Sequence, residues 1–163
     1  MPTRFFLAIL LLMIIYFGAD HRGFELKNHL QEYLKNQGYQ TADLGAAGLD
    51  EADDYPMFAA AVARKISLDP EQSRGVLVCG SGSGMDIVAN KFPHVRSVLA
   101  ISPDHAYAAR KDNNVNVLSL ASDFINQTDA EKILQVFMVT VFSGDARYKR
   151  RLEEISKIEG EIK

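Results

Sequence analysis

The sequence predicts an α/β protein, a five-stranded parallel sheet with helices packed on both faces. Three observations lead there. Short apolar, often β-branched runs alternate with amphipathic stretches from residue 14 onward. The runs end at glycine or short polar turns, while the stretches between them keep apolar residues at helical spacing. No repeat, low-complexity linker or composition break divides the chain, and 163 residues suit one domain able to bury its own core. Such alternation implies parallel strands joined by right-handed crossovers.

Residues 14–17 (IIYF) make the first strand, ending at Gly18. Phe24, Leu26, Leu30, Tyr33 and Leu34 then recur at helical spacing, and Gly38 stops that helix. Residues 39–44 (YQTADL) form a second, more polar strand closed by Gly45. The acidic loop 48–54 leads to Pro56, which opens a helix at its first turn, and the alanine-rich stretch 57–66 suits close packing on a sheet. Strand three covers 75–78, followed by a glycine turn and a helix over 85–91. Strand four covers 95–101, and Pro103 starts a helix over 104–111. Strand five is 116–120, and Thr128 is the expected cap of a long helix carrying Ile133, Leu134, Phe137, Met138 and Val141. The charged segment 147–162 keeps Leu152, Ile155 and Ile158 on one stripe, which calls for an apolar partner surface.

Composition narrows the function classes. The chain is 47% apolar and 24% charged, with a formal charge of −3, which argues against a nucleic-acid footprint but leaves anionic small molecules open. A single cysteine forms no internal disulfide, so a reducing, cytoplasmic setting is expected. Residues 1–13 form an apolar leader of open status ahead of a single domain over 14–163. The uncharged run 5–17 (FFLAILLLMIIYF) is too short to span a membrane, which takes about 20 residues. It reads as an extension ahead of strand one, as a targeting or membrane segment, or as residues upstream of a start at Met13.

In parallel sheets ligands bind beyond the carboxyl ends of the strands. Those ends carry Asp20-His21, Gly45-Ala46, Cys79 to Gly84, Ser102-Pro103-Asp104 and Ser122-Asp123. The run Cys79-Gly80-Ser81-Gly82-Ser83-Gly84 is the most informative. A free cysteine is commonly a small buried hydrophobe. At a strand end, before alternate glycines and a helix N-terminus, it becomes a candidate nucleophile or base beside an anion cradle. A thiol of pKa about 8.5 is scarcely ionised at neutral pH, and the turn amides and helix dipole are expected to help it. The turn lacks both the third glycine of a dinucleotide fingerprint and the Gly-Lys-Ser/Thr of a P-loop. Asp20-His21 is a better site candidate than a lone histidine. The basic run Arg147, Lys149, Arg150 and Arg151 is either a solvated face or a phosphate contact.

Together these residues resemble the ribose-5-phosphate isomerase B and galactose-6-phosphate isomerase family. The resemblance rests on Gly18-Ala19-Asp20-His21 with Gly23-Phe24, Asp54-Tyr55-Pro56, Cys79 to Gly84 with Ala89-Asn90-Lys91, Val95-Arg96, Asn113, Asn116-Val117-Leu118, and Arg147 with Arg151. It implies a Rossmann-like three-layer α/β/α sandwich that forms homodimers, or a higher assembly of them, with active sites shared between subunits. It further implies a sugar-phosphate substrate, no metal or organic cofactor, and no nucleic-acid or membrane partner. The reaction would be aldose–ketose isomerisation through an enediolate. Cys79 would be the base, and Ser81 with the amides of Gly80, Gly82, Ser83 and Gly84 would hold the developing oxyanion. Asn113 would assist there, Asp20 and Tyr55 would position the sugar, and His21, Arg147 and Arg151 would hold the phosphate. Asp112 stands where active relatives carry a ring-opening histidine, Asp123 where an arginine is common, and Tyr148 where a histidine is frequent. These departures leave a second reading: a subunit without activity of its own, completed by a histidine-bearing partner in a heteromeric enzyme, or an isomerase of another sugar derivative.

Overall fold

The structure, a computed structural model, describes residues 13–162; the leader reading falls outside it except for Met13, whose side chain is buried. The elements are β1 (Ile14–Ala19), α1 (Phe24–Asn36), β2 (Gln40–Asp43), α2 (Tyr55–Leu68), β3 (Ser73–Cys79), α3 (Ser83–Ala89), β4 (Ser97–Leu99), α4 (Pro103–Asn113), β5 (Val117–Ala121), α5 (Gln127–Val139) and α6 (Ala146–Glu161). The five strands form one sheet in the order β2-β1-β3-β5-β4, and every neighbouring pair is parallel. The α/β architecture expected from the alternation is therefore present.

Burial follows the two-residue period of the strands. Phe17, Val76, Val78, Leu118 and Leu120 enter one layer with α1, α4 and α5, while Leu77, Cys79 and Val117 enter the other with α2 and α3. Because β3 and β5 are covered on both faces, they read as near-continuous apolar runs rather than alternating ones. Each Leu- or Phe-sized side chain buried there contributes roughly 1.5–3 kcal/mol. The polar β2 sits at one edge, where QTAD costs little. Crossovers β1→β2 and β4→β5 step one way along the sheet, and β2→β3 and β3→β4 step the other. Right-handed crossovers therefore place α1 and α4 opposite α2 and α3. The loops leaving β1 and β3 diverge to opposite layers, which opens a crevice at their carboxyl ends.

Several boundaries differ from expectation: β3 begins two residues earlier than 75, β4 covers only Ser97–Leu99 of the expected 95–101, and two helix ends shift for visible reasons. Helix α5 is capped by Asn126, not Thr128: the Asn126 amide oxygen accepts the Asp129 N–H at 2.9 Å, leaving Thr128 inside the first turn. Helix α4 runs on to Asn113 because Asn114 takes the left-handed conformation (φ 46°), which asparagine tolerates as a helix stop. Arg110 fixes this end. Its guanidinium donates to the carbonyls of Val115 and Thr140 and to Asn114 Oδ1, tying α4 to the segment that leads into α6. Burial lowers its pKa to about 9. The predicted stripe of α6 stays open in the single chain, with Ile155 41% and Ile158 55% exposed, while Tyr148 is the one buried residue of that helix.

Candidate active site

Cys79 ends β3 beside Ala121 of β5, with its side chain almost fully buried. The chain then turns through Gly82 at φ 72°, and the Gly82 N–H points back at the sulfur at 3.1 Å. Only glycine suits this turn. A Cβ at Gly82 would overlap the Leu99 side chain and come within 3.0 Å of the Leu120 carbonyl. Burial pushes the Cys79 thiol up, and the nearby Asp20 charge adds to this; backbone N–H groups of Met85, Gly82 and Ser81 pull it back down. The amides help as expected, but desolvation outweighs them, and α3 is only seven residues long. Amides aimed at the sulfur are a cradle for the thiolate first. Ser81 and Ser83 are both exposed, with the Ser83 hydroxyl donating to the Ser81 carbonyl at 3.5 Å.

Around this sulfur the fold gathers three more loops. Asp20, buried after β1, accepts the Gly23 N–H at 2.9 Å. Gly23 lies so close to β3 that a Cβ would overlap the Val78 carbonyl, so the Asp20–Gly23 turn is pinned beside Cys79. His21 Nδ1 lies 2.7 Å from Asp53 Oδ1, and that hydrogen bond raises the His21 pKa. Tyr55, at the start of α2, stacks on Gly84: a Cβ there would sit 2.6 Å from Tyr55 Cζ and 3.1 Å from its hydroxyl. Asp20, His21, Tyr55 and the turn from Cys79 through Gly80 to Gly84 thus form one crevice at the carboxyl edge. Sequence reasoning missed Asp53 and Arg22. The signals were their positions, directly before Asp54-Tyr55-Pro56 and directly after Asp20-His21. Arg22 forms an ion pair with Asp123, and Ser122 Oγ donates to the Arg22 carbonyl at 2.9 Å.

The remaining predicted residues lie elsewhere. Helix α4 begins at the carboxyl edge and runs back, so Asp112 and Asn113 sit at the opposite edge of the sheet from Cys79. Strand β5 alone separates those edges by on the order of 13 Å. Arg147 and Arg151 accompany this second cluster, their guanidinium carbons 4.5 and 5.7 Å from the Tyr148 ring centre. Arg147 also donates to the Tyr148 hydroxyl at 2.6 Å. Asp112 and Asn113 line a groove of about 570 Å³ with Arg96, His105, Ile155 and Ile158. Asp112 Oδ1 is buried without a hydrogen-bond partner. Within one chain the Cys79 crevice and the Asp112–Asn113 groove therefore lie at opposite edges of the sheet.

Among the described residues no three His, Cys, Asp or Glu side chains converge as a metal site, and no helix is long and apolar enough to cross a membrane. The ribose/galactose isomerase family model matches residues 15–155. The chain is 38% identical over 147 residues to ribose-5-phosphate isomerase B of Mycobacterium tuberculosis, covering 90% of each. It is similar to the crystal structure of ribose-5-phosphate isomerase B from Mycoplasma genitalium with bound ribulose-5-phosphate. There the TM-score is 0.89 at 37% identity, covering 91% of this chain and 97% of that one. The Clostridium thermocellum enzyme gives 0.88 at 32% identity, covering 93% and 100%.

Proposed function

The chain belongs to the ribose/galactose isomerase family, as an aldose–ketose isomerase of sugar phosphates, and we propose that it interconverts ribose 5-phosphate and ribulose 5-phosphate with Cys79 as base. The observation that carries this reading is the Cys79 sulfur, buried at the end of β3 with the Gly82 N–H aimed at it. In the open-chain aldose the Cys79 thiolate takes the proton from C2. The C2–H electrons form the C1–C2 double bond, and the carbonyl π pair moves to O1 as the oxyanion. The proton passes from O2 to O1 and the thiol returns its own proton to C1, giving the ketose with no net change in atoms or electrons. Ser81 donates to the developing oxyanion, and donors already in place cost no reorganisation. Asp20 and Tyr55 position the sugar hydroxyls, and His21, whose pKa the Asp53 hydrogen bond raises, faces the phosphate.

The working unit of this proposal is a homodimer of a single domain over 14–163. A second copy brings Asp112, Asn113, Arg147 and Arg151 over the first copy's Cys79. Two observations support it: the half-sites lie on opposite edges of the sheet, and the exposed stripe of α6 adjoins the second one. Asn113 then assists at the oxyanion, Asp112 takes up a proton in ring opening, and the two arginines hold the phosphate. Cys79→Ala is expected to slow isomerisation of ribose 5-phosphate by the purified protein about 10²–10⁴-fold while leaving circular dichroism unchanged; undiminished turnover would refute the mechanism. The orphaned Asp112 oxygen favours one second reading, a subunit completed by a histidine-bearing homologue. That reading predicts no turnover by the pure chain and turnover once such a homologue is added.

A further inference from the structure

The Arg22–Asp123 pair does more than join two loops. Arg22 follows Asp20-His21 directly, and its guanidinium lies across the glycine turn next to Cys79: a Cβ built at Gly80 would overlap Arg22 Cζ, Nε and Nη1. The missing side chain at Gly80 is the space the guanidinium occupies. The arrangement is held from several directions. Asp123 pairs with Arg22 Nη2, its own N–H donates to the Gly80 carbonyl at 3.1 Å, and Ser122 binds the carbonyls of both Arg22 and Cys79. The Arg22 side chain is still 55% exposed, so the pair contributes little to stability while its remaining donors stay open to solvent. A carboxylate at this place would by itself repel an anionic substrate. Neutralised by Arg22, it instead fixes a guanidinium beside His21.

We propose that Arg22 is a binding residue for the phosphate of the sugar-phosphate substrate, with Asp123 as the residue that positions it across Gly80. This deepens the isomerase reading and rests on it for the sugar, but not for the anion. A guanidinium fixed in plane donates in parallel to two phosphate oxygens, which a freely rotating ammonium does not reproduce. Asp123 keeps that plane over the turn and restrains the charge from leaving for solvent.

The test uses the full-length Cys79→Ala protein, in which binding is separated from turnover, with ribose 5-phosphate and inorganic phosphate as calorimetric probes. Arg22→Ala is expected to weaken both by at least about tenfold, and Arg22→Lys to recover only part of the loss. Adding Asp123→Asn to Arg22→Ala is expected to restore some affinity, because the bare carboxylate is then removed. In the Cys79 enzyme, Arg22→Ala raises KM for ribose 5-phosphate far more than it lowers kcat and leaves the melting temperature in place. Binding of both probes within twofold of the parent after Arg22→Ala overturns the proposal, as does failure of the parent to bind either probe. Absence of turnover by the unaltered enzyme, with Arg22-dependent phosphate binding intact, overturns the isomerase reading alone.

Discussion

Asp53 Oδ1 accepts two hydrogen bonds from one residue, the His21 backbone N–H at 3.0 Å and the His21 Nδ1–H at 2.7 Å. A carboxylate only accepts, so this contact fixes a proton on Nδ1 and leaves Nε2 as the ring nitrogen that Asp53 does not engage. The Asp53 side chain is 6% exposed and its second oxygen has no partner, so its one satisfied interaction is the orientation of His21.

Asp53→Asn is expected to bring the His21 pKa back down toward its ordinary value, read by NMR titration of the ring. At neutral pH it should raise KM for ribose 5-phosphate several-fold with a smaller change in kcat. The sign for stability is set by the same shift. A folded-state pKa above the unfolded value of about 6.5 gives stability that is complete below that pH and lost as pH rises through the folded value. In the Asn variant this slope should flatten, and an unchanged slope would show that Asp53 does not govern the ring.

Cys79 titrates in the other functional direction. Burial holds its pKa above the ordinary thiol range, so the thiolate fraction in the free enzyme still grows above about pH 8.5. The expected kcat/KM profile therefore climbs across neutrality into the alkaline range. Alkylation of Cys79 by iodoacetamide should follow the same curve, and a plateau below pH 7 would contradict it. Cys79→Ala should cost about 10²–10⁴-fold in kcat.

Gly82 and Gly48 make a matched pair. Alanine at 82 meets both a left-handed backbone, costing roughly 1–2 kcal/mol, and the Leu120 carbonyl within 3.0 Å. Alanine at 48 meets nothing within 4 Å on an ordinary backbone and should leave stability unchanged or raise it by about 0.4–1 kcal/mol. Urea unfolding distinguishes them. Activity should fall with Gly82→Ala even where the protein remains folded, since the amide at Cys79 moves with the turn.

A shared site makes a quantitative demand. Cys79→Ala and Asn113→Ala each disable a different half. Mixed and re-annealed in equal amounts, half of the dimers pair unlike chains, and each of those holds one unaltered site in two. Recovery of about a quarter of wild-type turnover is expected from two-fold symmetry. No recovery from two separately folded, fully dimeric variants would place both halves in one chain.

Much of this molecule was legible in its residues. The glycine turn, the alternation of layers and the Asp20-His21 end of β1 followed from spacing and from the requirement that parallel strands bury both faces. Arg22 and Asp53 were not legible, because each acquires its meaning from a partner roughly 30 or 100 positions away. The state of Cys79 was half legible. Donors could be foreseen from the turn, but the desolvation that outweighs them depends on packing by α2 and α3, which no local pattern reports. Asp112 and Asn113 could be ranked as site residues but not located, since only the direction of α4 decides which edge of the sheet they reach.

Within one chain the two edges of the sheet share no side-chain contacts, so the stability effects of substitutions at one are expected to combine additively with those at the other. For this chain the thiol edge and the basic edge are therefore free to change at different paces. A duplicated copy that loses one edge stays folded and keeps the other in working order. Under the proposed shared site, the separation of Cys79 from Asn113 would let two imperfect descendants assemble one complete catalyst.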